Sequence, residues 1–316
     1  MSLRALLLGL VVALASQFPA NAAEPPLKVT ASFTVLADMI SQIGGDRVVV
    51  SALAGPGVDA HGFQPTPKDA QTVLGSDLVV INGLGFEGWW SRLIRASGYK
   101  GRVVEAAAGI KPREMVGHDH GHGHGHGHSH GKPAAGGKPS TTKDPHVWHS
   151  MALAQKQART IGDALTAARP VDAAYFASRT EAYVARLAAL DAFARAEIGK
   201  LPADRRKAIT SHDAFGYLAA DYGLTFLSAV GVSTESEASA AGVARLIRQI
   251  KAEKIPAIFV ENISDPRLAQ QIARDSGAKI GGTLYSDSLS AADGPASSLE
   301  RMFRHNIETL VAALSP

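Results

Sequence analysis

"DAAYFASRTEAYVARLAALDAFARAEIGKL", residues 172–201, is rich in Ala, Arg, Leu and Glu, has no glycine before Gly199, and lies between Pro170 and Pro202. Those residue types favour helix, and the prolines act as stop signals on either side. At 1.5 Å of rise per residue the helix would extend roughly 40 Å, enough to run along two domains. The chain on each side of it follows one plan. Upstream, "LKVTASF" (27–33), "RVVVSALAG" (47–55), "DLVVING" (77–83) and "RVVEAA" (102–107) read as strands, separated by helical stretches at 35–43, 67–75 and 88–97. Downstream, "KAITS" (207–211), "LTFLSAV" (224–230), "PAIFVE" (256–261) and "KIGGTLY" (279–285) read as strands, with helices over 214–222, 238–254, 265–277 and 296–314. Another helix is expected from about Met151 to Ala168. Strands alternating with helices argue for βαβ units and parallel sheets. The expected fold is therefore α/β with two lobes, residues 23–169 and 203–316. Each is a mainly parallel β-sheet flanked by helices, and one long rigid helix at 170–202 joins them.

The first residues, "MSLRALLLGLVVALASQFPANA" (1–22), have the form of a signal peptide. Arg4 precedes an apolar stretch from Ala5 to Ala15, and Ala20-Asn21-Ala22 supplies a small-x-small cleavage site. The apolar stretch is shorter than the about 20 residues that a membrane span needs, so stable membrane insertion is not expected. The mature chain would begin near Ala23 and work outside the cytoplasm. The formal net charge of the full chain is +3. It is too mild and too evenly mixed to suggest nucleic acid or an anionic membrane as partner. There are no cysteines, which excludes disulfides, thiolate metal sites and a lipid-modified cysteine. Roughly 290 mature residues suffice to build a stable core without staples.

The stretch "GHDHGHGHGHGHSHGKPAAGG" (117–137) carries His118, His120, His122, His124, His126, His128 and His130, out of 12 histidines in the chain. By composition such a tract binds metal. From about Gly109 to Asp144, however, the chain is Gly, Pro, His, Lys and Ser with almost nothing to bury, so a mobile loop is expected. Each metal bound there must order flexible chain, at about 1–2 kcal/mol per residue fixed. The loop therefore reads as an accessory, low-affinity collector, or as a solvated spacer.

Open α/β sheets bind ligands beyond the carboxyl ends of their strands. That rule selects His61 in "GPGVDAHGFQPTP", after the second strand, and His212 in "ITSHDAFGYL", directly after a strand. It also selects Asp287 in "LYSDSLS", after the last strand, and His146 in "KDPHVWHS", between the loop and a helix. Three imidazoles and one carboxylate, two from each lobe, would satisfy a tetrahedral zinc site. Other readings stay open for each. An isolated histidine is commonly a surface residue. Asp287 could be a helix N-cap, and Asp213 could cap the helix after His212. His149, three residues after His146, is a rival ligand. Glu261, at a strand end, is an outer partner of a ligand or a substitute carboxylate. His305 reads as a surface residue, and Trp89, Trp90 and Trp148 as packing.

Taken together, "GPGVDAHGFQPTPKDA", "DPHVW", "SHDAFGYLA" and "GGTLYSDSLS" resemble the four ligand stretches of the zinc- and manganese-binding solute-binding proteins of bacterial ABC importers (cluster A-I). "NGLGFEGWWSRL" resembles a stretch of that family that carries no ligand. The resemblance covers nearly the whole mature chain. It implies two lobes related by a pseudo-twofold, a rigid connecting helix, and metal held at the lobe interface by His61, His146, His212 and Asp287. In manganese-type members the third position is usually a glutamate. Here it is His212, and three nitrogens with one oxygen favour Zn2+ over Mn2+ on ligand softness. His149 follows "DPHVW" where relatives often have leucine, which keeps it in view as an alternate ligand.

The implied activity is capture of Zn2+ in the periplasm and delivery to the permease of an ABC transporter, with a periplasmic zinc metallochaperone as a further partner and the protein acting as a monomer. Four protein ligands leave no position for an activated water, so no enzyme activity is expected. Nor is there a nucleophile motif, a Gly-rich phosphate loop or an HExxH helix. Two rival readings remain from the sequence. One is a hydrolase using His61, His146 and His212 alone, and the other is a zinc buffer in which the histidine-rich loop does the work.

Overall fold

Two runs of β-branched and aliphatic residues, one in each half of the chain, set up the same sheet twice. The computed structural model describes residues 24–116, 141–231, 233–235 and 238–316. The signal-peptide reading of residues 1–22 and the histidines at 118–130 lie outside the described residues. In the first half, β1 (Leu27–Phe33), β2 (Val48–Ala54), β3 (Leu78–Ile81) and β4 (Arg102–Glu105) form a parallel sheet in the order β2-β1-β3-β4. The connecting helices are α1 (Thr34–Gly44), α2 (Pro67–Leu74) and α3 (Trp90–Ser97). Next come a short ribbon of β5 (Glu114–Val116) with β6 (Thr141–Lys143), then α4 (Met151–Ala168) and the long α5 (Ala173–Gly199).

The second half repeats the plan. Its strands are β7 (Lys207–Thr210), β8 (Thr225–Ser228), β9 (Ala257–Glu261) and β10 (Lys279–Leu284), and its helices α6 (Gly216–Tyr222), α7 (Ala240–Glu253), α8 (Pro266–Ser276) and α9 (Leu299–Leu314). The order β10-β9-β7-β8 is again parallel and again places the first strand between the second and the third. Both sheets therefore have a crevice between their first and third strands, where chain direction after the sheet diverges. In the second half that crevice separates the ends of β7 and β9, which carry His212 and Glu261.

The long helix is amphipathic in its buried positions. Phe176, Thr180, Tyr183, Leu187, Leu190, Ala194 and Ile198 recur at three- and four-residue steps along one stripe. Apart from Thr180, these side chains pack in one continuous core with Ile40 of α1, Leu165 of α4, Leu218 of α6 and Phe303 of α9. The two lobes are thus not separate bodies on a tether; they share a core through α5. Smaller clusters close the outer faces: Leu53, Val79 and Leu93 in the first half, Ile209, Leu246 and Ile272 in the second.

Three expectations are corrected. The interval from Gly109 to Asp144 is not structureless at its ends, because Glu114 to Val116 pairs antiparallel with Thr141 to Lys143, and Ile110 and Asp144 are buried. A backbone ladder between β-prone residues needs no core of its own, so composition gave no sign of it. Asp213 does not cap a helix: α6 begins at Gly216 after Phe215, without a side-chain cap. Asp287 is not a cap either, since the next helix, α9, is capped by Ser298.

The contact between α4 and α5 supplies a test. A Cβ on Gly162 would run into Thr180 Oγ1 and stand 3.2 Å from Thr180 Cβ. Helix propensity alone makes Gly162→Ala stabilising. The close approach reverses the sign, and a loss of about 1–3 kcal/mol is expected in urea or thermal unfolding. Adding Thr180→Ala should restore most of it.

Candidate metal centre

The first-lobe histidines share a local device. In "VDAHGF" and "KDPHVW" an aspartate stands two residues before the histidine, and its Oδ1 accepts the histidine backbone N–H, at 2.9 Å for Asp59–His61 and 3.0 Å for Asp144–His146. Such an Asx turn fixes the backbone just ahead of the ring. The stretch "NGLGFEGWW" then holds both turns in place. Trp89 Nε1 donates to Ala60 O at 2.7 Å, and Asn82 Nδ2 donates to Pro145 O at 2.9 Å. Glu87, which is buried, accepts from Asn82 N and from Ser32 Oγ, both at 2.6 Å. Burial pushes its carboxyl up despite these bonds. The Phe86 ring meets His61 edge-on with centroids 4.6 Å apart. A motif without a ligand is thus the seat of two candidates.

In the second lobe, His212 follows β7, and its backbone N donates to Glu261 Oε1 at 2.8 Å. Asp287 follows β10 in a loop stitched to the first lobe. Trp148 Nε1 donates to Ser286 O at 2.9 Å, Gly57 N to Ser288 Oγ at 2.8 Å, and Leu289 N to Thr34 Oγ1 at 2.9 Å. Trp89 and Trp148 are packing residues, as expected, whose N–H groups also tie down the ligand loops.

These four loops bring His61, His146, His212 and Asp287 together. One potential ligand atom from each lies within 4.8 Å of all the others, and all four residues are buried. His61 Nε2 is 3.1 Å from His146 Nε2 and 3.4 Å from Asp287 Oδ2. His212 Nε2 is 3.2 Å from Asp287 Oδ2, and His146 Nε2 is 3.6 Å from Asp287 Oδ1. Ligands at zinc bond lengths in a tetrahedron stand about 3.3 Å apart, so these separations suit an ion at the centre. The outer nitrogens of two rings face carboxylates: His146 Nδ1 lies 2.9 Å from Asp144 Oδ1, and His212 Nδ1 lies 2.6 Å from Glu261 Oε2. With the proton on Nδ1, the lone pair of Nε2 points inward, the arrangement that metal-binding histidines use.

The electrostatics favour a cation. Asp287 Oδ1 and Oδ2 have no hydrogen-bond partner among the described residues. Burial would raise the Asp287 carboxyl, but the facing His212 and His146 outweigh it and hold it well below the usual range. For His212, burial pulls the imidazole down, yet Glu261 and Asp287 together keep it protonated well above its ordinary value. The direction of that shift favours a proton on His212 beside Asp287 when no metal is bound.

The other expected residues fall outside this quartet. His149 is fully buried against Phe215, with ring centroids 4.7 Å apart, and neither ring nitrogen has a hydrogen-bond partner among the described residues. Burial, helped by His146, pushes its pKa down to about 4, so it is a neutral packing residue. Glu261 faces Nδ1 of His212 rather than the centre of the cluster. His305 is half-buried, not a free surface group, with Nε2 3.0 Å from Thr283 O. Sequence reasoning missed Asp144, which lay inside the interval read as a loop. The repeated Asp-x-His spacing was the available signal.

Two outcomes follow. Glu261→Gln and Asp144→Asn should each weaken metal binding about 10–100-fold in competition titration, because the ring loses its orienting anion. Metal must also displace the proton on His212, so affinity should rise with pH through neutrality and fall as pH drops, about tenfold per unit for each proton displaced. Glu261→Gln removes one of the anions that raise His212, and should flatten that slope. A purely structural role for Glu261 would leave the slope unchanged.

The comparisons with known proteins agree with this geometry. The family model described as "Zinc-uptake complex component A periplasmic" matches residues 29–313. The iron-binding protein YfeA of Yersinia pestis is 30% identical over 298 residues, 94% of this chain and 89% of the relative. The manganese-binding lipoprotein MntA of Bacillus subtilis is 31% identical over 299 residues, covering 93% and 92%. The structure of the periplasmic zinc-binding protein TroA of Treponema pallidum superposes with a TM-score of 0.81 at 29% identity, covering 92% of this chain and all of that one. The names of these relatives carry three different metals, so they establish a metal carrier without choosing its ion. The chain belongs to the zinc-uptake component A family, the metal-binding substrate-binding proteins of ABC importers, and is not an enzyme.

Proposed function

We propose that this protein captures Zn2+ in the periplasm through His61, His146, His212 and Asp287, and hands it to the membrane permease of an ABC transporter. The observation that carries this reading is the convergence of three imidazole nitrogens and one buried carboxylate, all within 4.8 Å of one another. A donor set of three nitrogens and one oxygen suits Zn2+ better than Mn2+, which prefers oxygen. The position where a second carboxylate would favour a harder ion is His212, and Glu261, the nearby carboxylate, is turned to its outer nitrogen. Four buried protein ligands leave no open position for water, which fits carriage and not turnover.

The protein works as a monomer and, in this reading, receives zinc either free or from a periplasmic metallochaperone. The seven histidines from His118 to His130 act as exchangeable collectors that supply the tight site. No helix among the described residues is long and apolar enough to cross a membrane. Export through a cleaved signal peptide at residues 1–22 places the chain beside its permease.

Metal analysis and competition titration on three proteins test this. Wild type and a variant lacking residues 117–131 should each hold one tight zinc per chain, with manganese displaced by zinc. His212→Ala should lose more than the 10–100-fold typical of an outer partner. Equal affinity for manganese and zinc would refute the choice of ion. Loss of tight binding on deleting the loop would make the protein a buffer instead.

A further inference from the structure

The loops around the cluster are fastened in two different ways. The Asp287 loop leaves the second sheet yet is bonded to the first lobe through Thr34, Gly57 and Trp148. The His146 turn is held from both sides, by Asn82 and by Tyr217 of α6, whose hydroxyl donates to Asp144 O at 3.0 Å. The His212 loop is different. Its own bonds run to Glu261 and to the segment after β8, with Val230 N donating to Ser211 O and Asp213 N to Gly231 O, both at 3.1 Å.

Among the hydrogen bonds of the described residues, one joins residues 211–213 and 229–235 to the first lobe. Thr234 Oγ1 donates to Asp59 Oδ2 at 2.6 Å. Asp59 is the carboxylate whose other oxygen holds the His61 turn. One side chain thus faces the His61 backbone with one oxygen and the His212 side with the other. Behind this contact is a cavity of about 270 Å³ lined by Ile209, Val230, Leu268 and Ile272 as well as by Asp59 and Thr234. The segment carrying Thr234 therefore has free volume beside it.

We propose that Asp59 and Thr234 are a positioning pair that closes the metal site and sets how fast bound metal leaves. His61, His146 and Asp287 belong to one bonded body, and His212 with residues 229–234 is the side that separates when metal departs. The bond from hydroxyl to carboxylate is charge-assisted, and both residues are half-buried, so it is strong enough to matter and accessible enough to break. This rests on the capture reading above and adds the element that times release.

The test measures zinc dissociation into excess chelator from the zinc-loaded full chain, for wild type, Thr234→Val and Thr234→Ser. Thr234→Val should release zinc about tenfold faster, the effect of one hydrogen bond, and Thr234→Ser, which keeps the hydroxyl, should retain the wild-type rate. Hydrogen exchange should show zinc-induced protection at residues 211–213 and 229–231 that Thr234→Val loses, with residues 284–290 unaffected. Equal rates for wild type and Thr234→Val overturn the proposal, as does fast release from Thr234→Ser, which would make the position one of packing. If wild type failed to saturate with zinc at equilibrium, the capture reading would fall first. Saturation with equal rates would sink the pair alone.

Discussion

Everything at this centre depends on keeping three imidazole lone pairs and one carboxylate pointed at the same small volume. Left to themselves such groups would rotate apart or take up protons, since a buried charge or lone pair without a partner is costly. The protein holds their orientation by occupying the outer face of the rings. Asp144 and Glu261 stand on Nδ1 of His146 and His212, which leaves Nε2 of each ring facing inward. The apolar wall of Phe33, Phe86 and Trp148 supports the same geometry and excludes water. A cation entering this space replaces a proton and relieves the facing donors together.

Such a cluster is useful only if its loops are held by something stiff. The shared core through α5 supplies that stiffness, because both lobes pack on one stripe of a single helix. Wide opening of the lobes, hinged on a linker, would tear that core. The loops above it remain as the part that can move. Their bonding is uneven: the Asp287 loop is carried by the first lobe, whereas the His212 loop is joined to it near Thr234. A carrier needs tight capture and timely release, and this division assigns the two tasks to different loops of one site.

The fold was largely legible in the sequence because its signals are local. Helix formers between prolines marked α5, and apolar runs marked each strand of the two parallel sheets within a residue or two. The four clustered side chains were also legible, since a rule about strand ends needs only the order of elements. The stretch "NGLGFEGWW" was visible as a motif, but its task was not. Asn82 and Trp89 act on Pro145 and Ala60, partners remote in sequence, and nothing in the residues themselves names a partner. Asp144 was missed for the opposite reason: its surroundings in sequence look like loop, yet it is buried by what folds around it.

The sequence by itself therefore determined the α/β plan, the long helix and the residue types available for a metal, because propensity and periodicity are properties of neighbours along the chain. Tertiary structure alone decided which histidine joins the cluster and which is packing. His146 and His149 are one turn apart, and equal as residues, but one has a carboxylate behind its ring and the other is enclosed by Phe215 and Trp148. What separates them is the charge and solvation that distant parts of the chain bring to each ring, and those exist only once the chain has folded.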